Sequence, residues 1–149
     1  MHVYDAIQSI LRAKSQELHW LPPDAFVYDA ISLMAQKSAG ALPVLANGKL
    51  VGIISERDYA RKVILLGKSS RATTISEIMT WPVITVGPSE TVDECMRIMT
   101  SQRIRHLPVV DQGKVIGIVS IGDLVKSIIT AQEHTIHQLE SFITGSYPR

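Results

Sequence analysis

Residues 41–58 read ALPVLANGKLVGIISERD, and residues 106–123 read HLPVVDQGKVIGIVSIGD, which is the same pattern 65 positions later. The alignment extends without a gap over residues 27–59 and 92–124, and eleven of its 33 pairs are identical. A repeat this regular is one supersecondary unit used twice, and two such units are expected to pack on each other to bury their apolar faces. The clefts between the repeats are therefore the expected functional surfaces.

The composition favours a compact globular protein. The chain has 149 residues, of which 46% are hydrophobic and 19% charged, and its formal net charge is +1. This balance argues against disorder and gives no reason to expect a nucleic-acid partner. No apolar run reaches the roughly 20 residues that span a bilayer, and the one cysteine, Cys95, excludes an intrachain disulfide. We predict a cytoplasmic protein with no membrane partner and an inert, buried thiol at Cys95.

The spacing of apolar residues predicts the same elements in both repeats, after an opening amphipathic helix that carries Ile7 and Ile10. The first repeat is expected to hold a strand at 18–21, a helix from 27 to about 40, a hairpin of strands 42–45 and 50–54, and a helix from 55 to about 66. After a linker at 67–74, the second repeat is expected to hold a strand at 83–86, a helix from 92, a hairpin of strands 107–110 and 115–119, and a long helix from 120 through 143.

These elements predict an α+β fold of two β-α-β-β-α repeats related by a pseudo-twofold axis. Residues 1–70 would contain the N-terminal helix and the first repeat, and residues 71–149 the second repeat and the long C-terminal helix. The apolar stripe of that last helix continues past the repeat. We expect it to pack on its own subdomain, with subunit association as the alternative.

Each repeat ends its hairpin with Ser-x-x-Asp, as Ser55 to Asp58 and Ser120 to Asp123. One interpretation is structural, because a serine followed three residues later by an acid is a helix-capping box. The other is chemical: a helix start offers backbone N–H groups to a phosphate, and a nearby carboxylate can accept hydrogen bonds from sugar hydroxyls. Both interpretations can hold together, and the second predicts a nucleoside-phosphate site.

The hydrophobic-Pro-Val hairpin and the Gly-x-x-Ser-x-x-Asp ending, present in both blocks, resemble cystathionine-β-synthase (CBS) domains, and two in tandem resemble a Bateman module. The resemblance implies that Asp58 and Asp123 bind the ribose of an adenine nucleotide, with Ser55 and Ser120 near its phosphate. It also implies contacts to the base from the opposite repeat. At the Asp58 site these are Thr80, Val83, Ile84, Arg105 and His106, and at the Asp123 site they are Ser15, Leu18, His19, Gly40 and Ala41.

Charge distinguishes the two sites. Arg57 and Arg61 fall one turn apart after Ser55, and Arg105 is expected to approach from the other repeat, so the Asp58 site offers forked donors for phosphate oxygens. The positions equivalent to Arg57, Arg61 and Arg105 in the other repeat are Gly122, Lys126 and Gly40. We therefore expect AMP, or a more highly phosphorylated relative, to prefer the Asp58 site; the alternative is a set of solvated arginines.

The sequence contains no catalytic constellation and no Cys/His metal spacing. We predict a regulatory sensor that binds adenine nucleotide, with AMP favoured and ATP, ADP or NAD possible as ligands, and that acts as a homodimer on a separate effector protein. Two alternatives stay open. One is a structural dimerisation module with degenerate sites, and the other is a weak nucleotide hydrolase in which Asp58 or His106 activates water.

Overall fold

The computed structural model describes residues 6–14 and 17–143. A π-helix, Ala60–Ile64, follows directly on the third α-helix. The other elements, in chain order, are α1 (Gln8–Lys14), α2 (Val27–Lys37), β1 (Ala41–Ala46), β2 (Lys49–Ser55), α3 (Glu56–Tyr59), α4 (Ile75–Ile78), α5 (Val92–Gln102), β3 (His106–Asp111), β4 (Lys114–Ser120) and α6 (Ile121–Ile143).

The chain divides into two compact units. The first takes its described residues from 1–16, 87–107 and 119–149, and the second takes its residues from 17–86 and 108–118. Strands β3 and β4 therefore contribute residues to both units. The division that we placed between residues 70 and 71 follows the sequence repeat and stays a prediction.

Two antiparallel hairpins, β1 with β2 and β3 with β4, form the two small sheets of the α+β fold. In the first hairpin the turn residues Asn47 and Gly48 have φ angles of 53° and 77°, and in the second Gln112 and Gly113 have 51° and 78°. Positive φ at both central residues is the backbone of the type I′ turn, whose twist matches that of the flanking strands. Both predicted hairpins are confirmed.

The strand predicted to open each repeat is reduced to a single parallel bridge. Leu21 bridges Val44, and Val86 bridges Val109. The hydrogen bonds are equivalent: the Leu21 N–H donates to the Pro43 carbonyl at 3.4 Å, and the Val86 N–H donates to the Pro108 carbonyl at 3.1 Å. Beyond each bridge the ladder is blocked, because Pro23 and Pro88, two residues further on, have no N–H to donate. Residues 18–20 and 83–85, before the bridges, form no strand either.

The core of the second unit lies between α2, the first hairpin, the π-helix and α4. Its helices contribute their apolar stripes, while nearly all of β1 is buried. The buried core residues are Val27, Ala30, Met34, Leu42, Val44, Ile54, Val63, Ile75 and Ile78.

The segment after Ser55 differs from the regular helix predicted there. One turn of α-helix, α3, is followed by the π-helix, and residues 65–67 form a turn. The short helix α4 was not predicted at all. It begins with a capping box in which the Thr74 backbone N–H donates to Glu77 Oε2 at 2.7 Å, so the Thr-x-x-Glu sequence was the available signal.

In the first unit α1 and α5 both pack against α6, and α1 buries Ile10. The start of α1 is held by backbone bonds, since Ile7 N–H donates to the Glu90 carbonyl at 2.8 Å and Gln8 N–H to the Pro88 carbonyl at 3.1 Å. Cys95 is fully buried in this unit, and burial, reinforced by Glu90 and Glu94, raises the pKa of its thiol to about 12. The thiol is therefore protonated and unreactive, as we predicted.

Helix α6 extends beyond the part of the first unit that it packs against. Leu124 is buried near its start, but residues 132–140 are all exposed. The expectation that the apolar stripe packs on its own subdomain is wrong for this part of the helix. None of the helices within residues 6–14 and 17–143 is long and apolar enough to cross a bilayer.

The turn geometry predicts opposite effects for two glycine substitutions in the second repeat. Gly113→Ala places a Cβ at φ +78° and is expected to lower the free energy of unfolding by about 1 to 2 kcal/mol. Gly122→Ala lies in α6, where an added Cβ makes only ordinary contact with Ser120. This substitution is expected to raise the free energy of unfolding by up to about 1 kcal/mol. Urea denaturation of both variants measures these changes, and equal effects would contradict the turn assignment.

Candidate functional site

The carboxylate of Asp58 lies at the start of α3 and is almost fully buried. Its Oδ2 accepts from the Ser55 backbone N–H and from the Ser55 hydroxyl, both at 3.0 Å. The Ser55 hydroxyl in turn accepts from the Asp58 backbone N–H at 3.2 Å. The structural interpretation of this Ser-x-x-Asp motif is therefore confirmed, because the motif forms a reciprocal capping box.

The other oxygen of Asp58 binds two groups from outside the capping box. Thr80 Oγ1 donates to Asp58 Oδ1 at 3.0 Å, and Lys62 Nζ lies 3.0 Å from the same oxygen. Lys62 also donates to the Ile78 carbonyl at 2.9 Å. The structure thus brings together Ser55, Asp58 and Thr80, which the sequence had placed in one site. It adds Lys62, which the sequence reasoning missed although its position, four residues after Asp58, is the spacing of a helical ion pair.

Asp123 has an equivalent arrangement at the start of α6. Its Oδ2 accepts from the Ser120 backbone N–H at 2.8 Å, and the Ser120 hydroxyl accepts from the Asp123 N–H at 3.1 Å. Lys14, from α1, donates to the same Oδ2 at 2.9 Å. The side chain of Asp123 is 22% exposed, compared with 8% for Asp58. Of the two carboxylates, Asp123 is therefore the more accessible.

The residue before each hairpin has the same backbone role. The Gly40 carbonyl accepts from the N–H of Glu56 at 3.0 Å, and the Arg105 carbonyl accepts from the N–H of Ile121 at 2.8 Å. These are the first helical residues of α3 and α6, whose N–H groups have no partner within a helix. At each helix start, one of the N–H groups that lack an intrahelical partner is therefore already bound to a backbone carbonyl. A phosphate there would have to bind the remaining N–H groups.

His106 interacts electrostatically with Asp123, Lys14 and Arg105 within the first unit. Burial lowers the pKa of its imidazole; Asp123 opposes this shift, while Lys14 and Arg105 reinforce it. For Asp123, burial alone would raise the pKa of the carboxyl, but hydrogen bonds from Lys14 and Ser120 outweigh it and lower the pKa. We had grouped His106 with the Asp58 site, which stays a prediction; the interaction that the structure shows is with Asp123.

The remaining predicted site residues occupy several environments. Arg57, Arg61, Ile84 and Gly122 are exposed, whereas Leu18, His19 and Val83 are half-buried and Ala41 is buried opposite Ser55 in the first sheet. Ser15 lies outside the described residues. The assignment of these side chains to a ligand site stays a prediction.

The chemistry available at these positions is hydrogen bonding and charge pairing. Each site combines a serine, a carboxylate and a lysine, a set that can bind hydroxyl and phosphate groups. Among the described residues no group of three or more His, Cys, Asp or Glu side chains could hold a metal ion.

The family of the chain follows from this repeated hairpin and capping box together with a comparison of sequences. The family model for the CBS domain matches twice, at residues 7–64 and 75–130. The chain therefore belongs to the CBS-domain family and is a tandem CBS-domain protein. It is 39% identical over 150 residues to the mitochondrial CBS domain-containing protein CBSX3 of Arabidopsis thaliana, a match that covers 95% of this chain and 73% of that protein.

Solved structures show the same fold. A protein with CBS domains from Burkholderia ambifaria is 52% identical, with a TM-score of 0.81, and the match covers 85% of this chain and 96% of that one. The CBS domain pair of protein MJ0100, solved in complex with 5′-methylthioadenosine and S-adenosyl-L-methionine, is 31% identical, with a TM-score of 0.75 and coverage of 85% and 97%. The predicted fold class is confirmed.

The two lowered pKa values predict that acid destabilises the protein in two steps. Below the ordinary histidine value of 6.5, the unfolded chain takes up a proton that folded His106 resists, so the free energy of unfolding falls. Below the ordinary aspartate value of 3.8, Asp123 adds a second loss, completed as the pH passes through its lower folded-state pKa. Urea denaturation at a series of pH values measures both steps.

The matched control for the first step is the exposed His137 on α6. His106→Gln is expected to flatten the dependence of stability on pH around 6, whereas His137→Gln leaves it unchanged. An unaltered slope in the His106 variant would show that another group causes it.

Proposed function

We propose that this protein is a non-catalytic regulatory module that binds adenine nucleotide, AMP in the first place, at its two Ser-x-x-Asp helix starts. The observation that carries the proposal is the recurrence of a serine and a shielded carboxylate at the first turn of a helix in both repeats. The MJ0100 pair, with its two adenosyl ligands, supports an adenosine-containing ligand of this chain. ATP, ADP and NAD contain the same adenosine portion.

The Asp58 site is proposed as the principal phosphate site. Arg57 and Arg61 are exposed on the segment that begins at Ser55, and Lys62 adds a third cationic side chain beside the carboxylate. Guanidinium and ammonium groups at a helix start are suited to phosphate oxygens. Asp123, whose neighbouring helix position is Gly122, is proposed to bind a nucleoside portion more weakly.

Binding at Asp58 requires a change of hydrogen-bond partners. Both of its oxygens are occupied, Oδ2 by the capping box and Oδ1 by Thr80 and Lys62. The side chain of Lys62 is 42% exposed, so it can leave the carboxylate without disturbing the core. We propose that ribose hydroxyls take its place on Oδ1 while its ammonium moves to the phosphate, where the charge that it neutralises is greater.

The proposed response is a ligand-dependent rearrangement of a homodimer that acts on a separate effector protein. A ligand shifts such an equilibrium only by its difference in affinity between two states, and the transfer of Lys62 from carboxylate to phosphate supplies such a difference. We propose a cytoplasmic location, although the Arabidopsis relative is named as mitochondrial.

Thermal melting with AMP, ATP, ADP, NAD and S-adenosylmethionine tests the proposed function. Ligand at about 100 times its dissociation constant is expected to add about 2.7 kcal/mol to stability, a rise in Tm of a few degrees. Asp58→Ala is expected to abolish the AMP-induced rise, measured against the variant's own ligand-free melt. Asp123→Ala is expected to retain most of the AMP-induced rise. Asp24→Ala, at an exposed turn, is the control and is expected to retain all of it.

No rise with any ligand would favour a structural dimerisation module instead. Release of inorganic phosphate from ATP in the same samples, lost in Asp58→Ala or in a His106 variant, would favour the hydrolase.

The transfer of Lys62 predicts a change of ligand preference. Lys62→Met keeps the length of the side chain but removes its charge, so it is expected to lower the ratio of AMP affinity to adenosine affinity by about tenfold, the loss of one charge-assisted hydrogen bond. Isothermal titration calorimetry measures both affinities. Lys49→Met, at the exposed hairpin turn, is the control, and an equal loss for AMP and adenosine would show that Lys62 does not contact the phosphate.

A further inference from the structure

Helix α6 carries an apolar stripe that is exposed along most of its length. The helix packs against α1 and α5, and residues 132–140, in its later turns, are all exposed. The exposed apolar residues of the stripe are Val125 (40%), Ile129 (48%), Ile136 (55%), Leu139 (57%) and Ile143 (81%). Large aliphatic side chains aligned on one exposed face are typical of an interaction surface.

The spacing of this stripe identifies the kind of surface. When Gln132 is included, the stripe residues are alternately four and three positions apart from Val125 to Ile143. This is the spacing of the a and d positions of a heptad repeat, the seam of a left-handed coiled coil. The a positions are all isoleucine, at 129, 136 and 143, and the d positions are Val125, Gln132 and Leu139.

We propose that α6 forms a parallel, in-register coiled coil with α6 of a second copy of this chain. Isoleucine at a favours two parallel strands when leucine is at d, a combination that Ile136 and Leu139 supply. In this arrangement each seam residue meets its own counterpart, so Gln132 faces the second copy's Gln132, and two carboxamides can hydrogen-bond to each other across the seam. A single polar residue at an a position fixes the register of a coiled coil, and Gln132 would have the same role at d.

The opposite orientation is disfavoured by the same residues. In the antiparallel register that overlaps the whole stripe, Gln132 would face the second copy's Ile136, which would bury two amide groups without partners. The flanking Glu133 would then face the second copy's Glu133, a pair of like charges. In the parallel register Glu133 and Glu140 instead flank Ile128 and Thr135 of the second copy, so no like charges meet.

Disulfide trapping of the full chain tests the proposal. Gln132→Cys places one thiol in a d layer, where the two copies meet, and His134→Cys places one on the outer side of the same exposed turn. Under mild oxidation the Gln132 variant is expected to form a covalent dimer on a non-reducing gel, and the His134 variant to stay monomeric. The wild-type chain is the blank, because Cys95 is buried.

Two outcomes would overturn the proposal: no cross-link in the Gln132 variant, or equal cross-linking rates in both variants. The double variant Gln132→Cys/Ile136→Cys tests the orientation, because residues 132 and 136 face each other in the antiparallel register. Cross-linking of the double variant, without cross-linking of Gln132→Cys alone, would overturn the parallel orientation.

A second pair of variants tests whether cross-linking depends on the apolar stripe of α6 and not on some other contact between the two copies. In the Gln132→Cys background, Ile136→Lys places a charge in an a layer and is expected to slow cross-linking by at least about tenfold. His137→Lys introduces the same charge on the outer side of the helix and is expected to leave the rate unchanged. Since both positions are exposed within one copy, neither substitution threatens folding. Equal rates in the two lysine variants would contradict the seam.

Discussion

A carboxylate that folds back onto the backbone of a serine three residues earlier is the interaction on which each repeat depends. It stands where the second strand of a hairpin becomes a helix, at Ser55 in one repeat and Ser120 in the other. The bond satisfies an N–H at the strand exit, and the serine hydroxyl satisfies one at the helix start. Because two elements share this junction, the direction of the hairpin and the direction of the helix are fixed together.

The same bond creates an electrostatic constraint. A carboxylate held at such a junction loses much of its hydration, and the charge requires a partner. Lysines provide it in both repeats, but from different places: Lys62 from the π-helix that follows, and Lys14 from a helix before the repeats. The repeats are therefore alike in the carboxylate and unlike in its counter-ion. In the proposed function, a ligand that binds either carboxylate would compete with a lysine, and this competition would connect binding to rearrangement.

Local patterns predicted much of the fold. The Asn-Gly and Gln-Gly turns, both capping boxes and the long α6 each depend on residues close together in sequence, and each is present. The leading strands were predicted too long, since each makes a single bridge at its last residue, and an apolar run shows a strand's composition but not whether it finds a pairing partner. The π-helix at Ala60–Ile64 has only five residues, too few for the apolar periodicity to distinguish its i→i+5 bonding from that of an α-helix.

The candidate site could likewise be predicted only in part. Ser55 and Asp58 could be found from the repeat, and Lys62 from its spacing to Asp58. Lys14, however, lies 109 residues from Asp123, and only the tertiary structure brings them together. The exposure of the α6 stripe was likewise beyond the sequence, since periodicity defines an apolar face but not what covers it.

A crystal structure of the protein grown with AMP tests the central claim most directly. The account predicts ribose hydroxyls within hydrogen-bond distance of the Asp58 carboxylate, with Lys62 Nζ withdrawn from Oδ1 toward the phosphate. AMP bound away from both Ser-x-x-Asp helix starts, or AMP absent at saturating concentration with the Lys62 to Asp58 ion pair intact, would contradict it.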